Sequence, residues 1–129
     1  MFPIKDIMTK SVITASPETP INHLIATLVE KRITGIPIVD NNNNLVGIVS
    51  EFDVLHLLLE GDSEIPKTAA DVMTKNVIAF EDTSTAIDVC EFFINNPSKR
   101  RIPIINAGKL VGLVSRADIV KLIKTLRKI

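Results

Sequence analysis

The 129-residue chain is 46% hydrophobic and sets 15 Lys and Arg against 15 Asp and Glu, so it can fill a core and has no net charge to draw it to nucleic acid or anionic membrane. A disordered chain is excluded on composition. The single cysteine, Cys90, excludes an internal disulfide, and no apolar run is long enough to span a bilayer or to open the chain as a secretory signal, so the expected setting is a reducing cytoplasm.

Taken in chain order, the first feature is a block that comes back: Asp6-Ile7-Met8-Thr9-Lys10 recurs as Asp71-Val72-Met73-Thr74-Lys75, 65 positions later. The same offset carries Leu45-Val46-Gly47-Ile48-Val49-Ser50 to Leu110-Val111-Gly112-Leu113-Val114-Ser115 and Asp53 to Asp118. The chain is therefore one unit written twice, residues 1–62 and 70–129. They are joined by a linker at 63–69, within a stretch rich in Gly, Asp, Ser, Glu and Pro.

Each unit reads as β-α-β-β-α. A short extended piece is expected at Val12–Thr14 and Val77–Ala79. Thr19-Pro20 offers an N-cap with proline at the first helical position, and Ile21, Leu24, Ile25 and Leu28 then mark one apolar helical face. The corresponding face in the second unit is Ala86, Val89, Cys90 and Phe93, which gives Cys90 a packing role.

Ile36–Val39 and Leu45–Val49 form a hairpin across Asn41–Asn44. Ile102–Ile105 and Leu110–Val114 form another across Asn106-Ala107-Gly108-Lys109, where Gly108 supplies a positive φ. These strands are almost continuously apolar, which predicts sheets covered on both faces and halves that are not stable alone. The last helix, from about Ala117, carries Ile119, Leu122, Ile123, Leu126 and Ile129 on one side and needs a partner surface.

Chemistry concentrates where a strand runs into a helix, at Gly47-Ile48-Val49-Ser50-Glu51-Phe52-Asp53 and Gly112-Leu113-Val114-Ser115-Arg116-Ala117-Asp118. Unpaired N–H groups and the positive end of the helix dipole favour an anion such as phosphate beside Ser50 or Ser115. One turn on, Asp53 or Asp118 can accept hydrogen bonds from the 2′ and 3′ hydroxyls of a ribose, a charge-assisted contact worth about 1.5–3 kcal/mol. Ser-x-x-Asp is equally a capping box, which needs no ligand at all.

Taken together, the Asp-aliphatic-Met-Thr opening, the Gly-aliphatic-Pro step and the Leu-Val-Gly-aliphatic-Val-Ser-x-x-Asp block resemble tandem CBS domains over essentially the whole chain. The resemblance implies an α/β (α+β) module in which two repeats pack through their sheets about a pseudo-twofold axis. It further implies two clefts that take AMP, ADP, ATP, S-adenosylmethionine or NAD-type ligands.

Carried over residue by residue, it places Ser50 and Ser115 near phosphate and Asp53 and Asp118 on ribose. The aliphatic-proline steps Ile36-Pro37 and Ile102-Pro103 become lining residues. So do Thr14, Ala79 and Phe80 at the base pocket, where Phe80 either stacks on adenine or belongs to the core. The second unit departs from Gly-aliphatic-Pro with Arg101-Ile102-Pro103, and the resemblance makes Arg100 and Arg101 candidates for a phosphate tail where the first unit has uncharged Thr34 and Gly35. The two sites are expected to be unequal.

His23 and His56 have no second ligand at metal spacing, and Met8 and Met73 read as packing residues. No nucleophile has a base partner and no phosphate loop is present, so catalysis is not expected. The stretch from Lys99 to Lys128 holds nine basic residues against Asp118, yet with 4% aromatics nucleic-acid binding is not expected. No cofactor is required on this reading; an adenine nucleotide or S-adenosylmethionine is the regulatory ligand. The expected partners are a second copy, in a disc-shaped homodimer met through helices, and an unknown regulated protein. The alternative is a dimerisation or interaction module that binds no ligand.

Overall fold

Both hairpins form where the apolar runs lie, and their turns show why. A computed structural model describes residues 2–61 and 67–129, so 63–66 of the expected linker lie outside the described residues. Strands β1 (Gly35–Val39) and β2 (Leu45–Ser50) pair antiparallel from Gly35↔Ser50 to Val39↔Leu45. Their turn is organised by Asp40, whose Oδ1 accepts from the backbone N–H of Asn42 and of Asn44, each at 2.9 Å. In the second repeat β3 (Phe80–Glu81) lies parallel to β4 (Arg101–Asn106), which pairs antiparallel with β5 (Lys109–Ser115). Here a two-residue turn holds Ala107 at φ 50° and Gly108 at φ 83°, the doubly positive φ that a tight hairpin needs.

Ile36, Pro37 and Ile38 are all buried, as are Ile102, Pro103 and Ile104. Both faces of β1 and β4 are therefore covered, as their unbroken apolar sequence predicts.

The helices are α1 (Ile21–Lys31), α2 (Glu51–Glu60), α3 (Ala69–Val72), α4 (Ala86–Asn95) and α5 (Arg116–Arg127), with a 3-10 turn at Ile4–Asp6. Among the described residues none is long and apolar enough to cross a membrane. Three local expectations change. The first extended piece is an isolated bridge, Ala15↔Ile38, and β3 begins at Phe80, so pairing starts one residue beyond each expected piece. The helix expected from Ala117 begins at Arg116. Thr19 does not cap α1: its Oγ1 accepts from the Ser16 N–H at 3.0 Å, while Pro20 takes the cap position. The reason is tertiary, because the Ile21 N–H is already satisfied by the Lys67 carbonyl at 2.9 Å.

That last contact belongs to a general arrangement. The chain divides into two compact units, Ile13–Val77 and Met1–Val12 with Ile78–Ile129, which are cut differently from the sequence repeats. In the first, Ala69 is fully buried with Leu24, Ile36, Ile38 and Val49, and Thr74 bridges Ile48 through N–H···O bonds of 2.8 and 3.0 Å. In the second, Ile4 is fully buried with Val89, Ile102, Ile104 and Val114, and Thr9 bridges Leu113 at 2.8 and 2.9 Å. The opening block of each repeat is thus built into the body of the other.

Two glycines permit it. A Cβ on Gly47 would lie 2.6 Å from Met73 Sδ and 3.0 Å from the Thr74 carbonyl; on Gly112 it would lie 2.6 Å from Met8 Sδ and 2.9 Å from the Thr9 carbonyl. The methionine tips can move, whereas the carbonyls are held by the bridges.

Gly47→Ala and Gly112→Ala should each destabilise the protein by about 1–3 kcal/mol, read as a lowered thermal midpoint, because the added methyl must push back a paired backbone. A fragment spanning 13–77 should keep a cooperative thermal transition that a fragment spanning 1–62 lacks, since only the former contains the Ala69–Thr74 edge of its own sheet and core.

Candidate functional site

Ser50 ends β2 in extended conformation and begins α2, and Ser115 does the same between β5 and α5. In both places the turn from strand to helix leaves N–H groups without intrahelical partners, and the Ser and Asp side chains satisfy them reciprocally. The Asp53 N–H donates to Ser50 Oγ at 3.3 Å, and Asp53 Oδ2 accepts from the Ser50 N–H at 2.8 Å and from Ser50 Oγ at 3.0 Å. The Asp118 N–H donates to Ser115 Oγ at 3.2 Å, and Asp118 Oδ2 accepts from the Ser115 N–H at 2.8 Å. Both are complete capping boxes.

The box alone does not mark a ligand site. The same arrangement starts α4, where Thr85 and Asp88 exchange bonds at 3.1 and 3.2 Å, and Asp71 reaches back to the Thr68 N–H at 2.8 Å at the start of α3. What the cap leaves over matters more. A carboxylate has about four acceptor directions, and capping uses only Oδ2. Both Asp53 and Asp118 are half-buried, so the second oxygen remains within reach of solvent. Asp118 Oδ1 has no hydrogen-bond partner among the described residues, whereas Asp53 Oδ1 accepts from Thr74 Oγ1 at 3.0 Å.

The basic pair joins the second site through the sheet. Arg101 stands directly opposite Ser115 in the β4–β5 ladder, so the two side chains leave the same face, and the Arg100 carbonyl accepts from the Arg116 N–H at 3.0 Å. Both arginines are exposed. The first unit has the same backbone frame without the charge: Gly35 stands opposite Ser50, and the Thr34 carbonyl accepts from the Glu51 N–H at 2.9 Å. The face that carries Ser115 therefore also carries a guanidinium, and the face that carries Ser50 does not.

Other expected residues fall away from this chemistry. Ile36 and Ile102 are each 1% exposed and belong to the two cores, so only their backbones can face a ligand; Pro37 and Pro103 are buried beside them. Phe80 is half-buried, with its ring edge-on to Phe92 at 5.6 Å, the packing alternative for this residue. Thr14 is exposed and Ala79 half-buried, each one residue before the segment that pairs with β1 or β4. Cys90 packs against the core and also lines an apolar groove of about 370 Å³ on α4 and α5, apart from the Ser–Asp pair.

Two residues escaped sequence reasoning. Thr74 was visible only as part of a recurring block, with nothing to say that it meets Asp53. Arg116 donates from Nε to the Lys99 carbonyl at 2.8 Å and from Nη2 to the Pro97 carbonyl, and so ties the turn before Arg100 to the start of α5. Its place inside Ser-x-x-Asp was the available signal.

A CBS domain family model matches residues 4–60 and again residues 69–125. MJ1225 of Methanocaldococcus jannaschii is 32% identical over 121 residues, which is 94% of this chain and 42% of that protein. The chloroplastic CBS domain-containing protein CBSX2 of Arabidopsis thaliana is 28% identical over 150 residues, 93% of this chain and 63% of that protein. The chain thus spans less than two thirds of either relative. Among solved structures, CBSX2 in complex with AMP superposes with a TM-score of 0.87 and 29% identity, covering 98% of this chain and 99% of that one. The CBS domain pair of MJ0100 in complex with 5′-methylthioadenosine and S-adenosyl-L-methionine superposes at 0.79 with 28% identity, covering 98% of each.

Proposed function

The chain belongs to the CBS domain family, and we propose that it is a regulatory CBS pair that binds an adenosine-containing ligand and has no catalysis of its own. The observation that carries this reading is Asp118 Oδ1, without a hydrogen-bond partner among the described residues and held by the α5 cap one helical turn from Ser115, with Arg101 opposite that serine in the ladder. A ribose diol suits that oxygen, and a phosphate suits the helix start and the two guanidinium groups. The AMP, 5′-methylthioadenosine and S-adenosyl-L-methionine held by CBSX2 and MJ0100 share the adenosine part and differ in charge beyond it, which supports the class of ligand. Arg100 and Arg101 favour a phosphorylated member at the second unit. Ser50 and Asp53 form the corresponding site in the first unit, without that charge.

The ligand changes a regulated partner's output only as far as its affinity differs between the module's conformations. Self-association is the second part of the reading. Phe52, Leu55 and Leu59 form one stripe along α2, and Leu58 and Leu59 are 86% and 85% exposed. On α5, Val120, Ile123 and Leu126 are exposed as well. Apolar faces of this kind call for a protein partner, and a second copy joined through these helices supplies one.

AMP at a hundred times its dissociation constant should stabilise the protein by about 2.7 kcal/mol in a thermal-shift measurement. Asp118→Asn should weaken AMP at least tenfold by calorimetry while barely moving the ligand-free melting point, because the cap contributes only about 1 kcal/mol. A variant that melts much earlier yet binds AMP normally would reduce Asp118 to a helix cap. Light scattering at micromolar concentration should return twice the monomer mass, and a monomer there would refute the dimer.

A further inference from the structure

The two Ser–Asp pairs are engaged to different extents, and the difference on the oxygen that the cap leaves over lies in one threonine. Asp53 accepts from the Ser50 N–H, from Ser50 Oγ and, on its other oxygen, from Thr74 Oγ1 at 3.0 Å. Among the described residues Asp118 accepts from the Ser115 N–H only. Yet the counterpart of Thr74 is in place: Thr9 bridges Leu113 through its backbone as Thr74 bridges Ile48, and each follows a methionine that lies over a glycine. The backbone presents a threonine at both sites, and only one hydroxyl is bonded to the carboxylate.

The surroundings of the two sites differ in charge. Arg101 stands opposite Ser115 in the ladder, where the uncharged Gly35 stands opposite Ser50. Arg116 is engaged by the Lys99 and Pro97 carbonyls, and among the described residues no ion pair to Asp118 forms.

We propose that Thr74 is a specificity-determining latch on the first unit's site: its hydroxyl takes one of the two acceptor directions of Asp53 Oδ1, so a ribose diol that bonds that oxygen through both hydroxyls must displace it there and need not displace anything at Asp118. Asp118 therefore fills first and prefers a phosphorylated ligand. Asp53 fills second, at higher concentration, and discriminates less by phosphate. This rests on the reading of the two aspartates as ribose-binding groups.

Calorimetry with AMP tests it in two single-site backgrounds. In Asp118→Asn protein, adding Thr74→Val should tighten AMP roughly three- to tenfold, the equilibrium worth of one ordinary hydrogen bond, while Thr74→Ser should leave it as it was. In Asp53→Asn protein, adding Thr9→Val should change nothing. Thr74 is exposed and valine keeps both its shape and its backbone bridge, so the fold should persist, as a thermal melt will show. Unchanged or weaker binding with Thr74→Val overturns the latch, weaker binding meaning that the hydroxyl helps to orient Asp53 for ligand. Equal tightening from Thr9→Val overturns the inequality of the sites. A protein that takes no AMP, or one in which Asp53→Asn with Asp118→Asn still binds it fully, overturns instead the ribose reading on which the latch rests.

Discussion

The structure depends on a close approach of two backbones at the outer edge of each hairpin. Gly47 lets the Met73-Thr74 segment lie against β2, and Gly112 lets Met8-Thr9 lie against β5; a single methyl at either place would fall within 3.0 Å of a paired carbonyl. Once that approach is made, the consequences follow in order. The segment adds N–H···O bonds to the hairpin edge, brings Ala69 or Ile4 into the core, and supplies a carbonyl to the first helix: Lys67 to Ile21, and Phe2 to Ala86 at 2.8 Å. A helix start that lacks a side-chain cap, as α1 does, is completed by a carbonyl from the linker. Covalent order and spatial order are therefore interleaved, and the methionine preceding each threonine provides the soft surface that fits over a glycine.

The same approach reaches the first unit's candidate site, because it delivers the Thr74 hydroxyl to the capping Asp53. Stabilising the helix and binding a ligand do not compete for one atom. The cap uses Oδ2, and ligand recognition would use Oδ1 together with the helix start. That division makes it intelligible that the chain uses the box at α3 and α4 as well, where no basic pair stands opposite. On the proposed reading, what sets the α5 box apart is a strand ending in serine, an unspent carboxylate oxygen and an arginine, Arg101, opposite that serine.

Duplication preserves the frame and lets the two sites diverge. The register around Gly35↔Ser50 and Arg101↔Ser115 is the same, as are the backbone bonds from Glu51 to Thr34 and from Arg116 to Arg100. What differs is charge carried on that common frame. Arg116 adds a structural role, bonding the Lys99 and Pro97 carbonyls and so tying the start of β4 to the start of α5, which Glu51 has no means to do. The more charged site thus has a brace of its own at the start of α5.

Much of this was legible from residues whose signals are local. The 65-residue offset exposed the duplication, the apolar runs located β1, β2, β4 and β5, Gly108 announced a turn of positive φ, and Ser-x-x-Asp marked the starts of α2 and α5. Those features depend on neighbours a few positions apart, and a linear reading contains such neighbours. What tertiary structure alone decided are the long-range partners. Asp6-Ile7-Met8-Thr9 completes the second repeat rather than the first, Lys67 rather than Thr19 serves the Ile21 N–H, Phe80 meets Phe92 edge-on, and Thr74 meets an aspartate 21 residues earlier in the chain. Two nearly identical opening blocks and two similar hairpins allow either pairing on local grounds, and only the folded path of the chain selects between them.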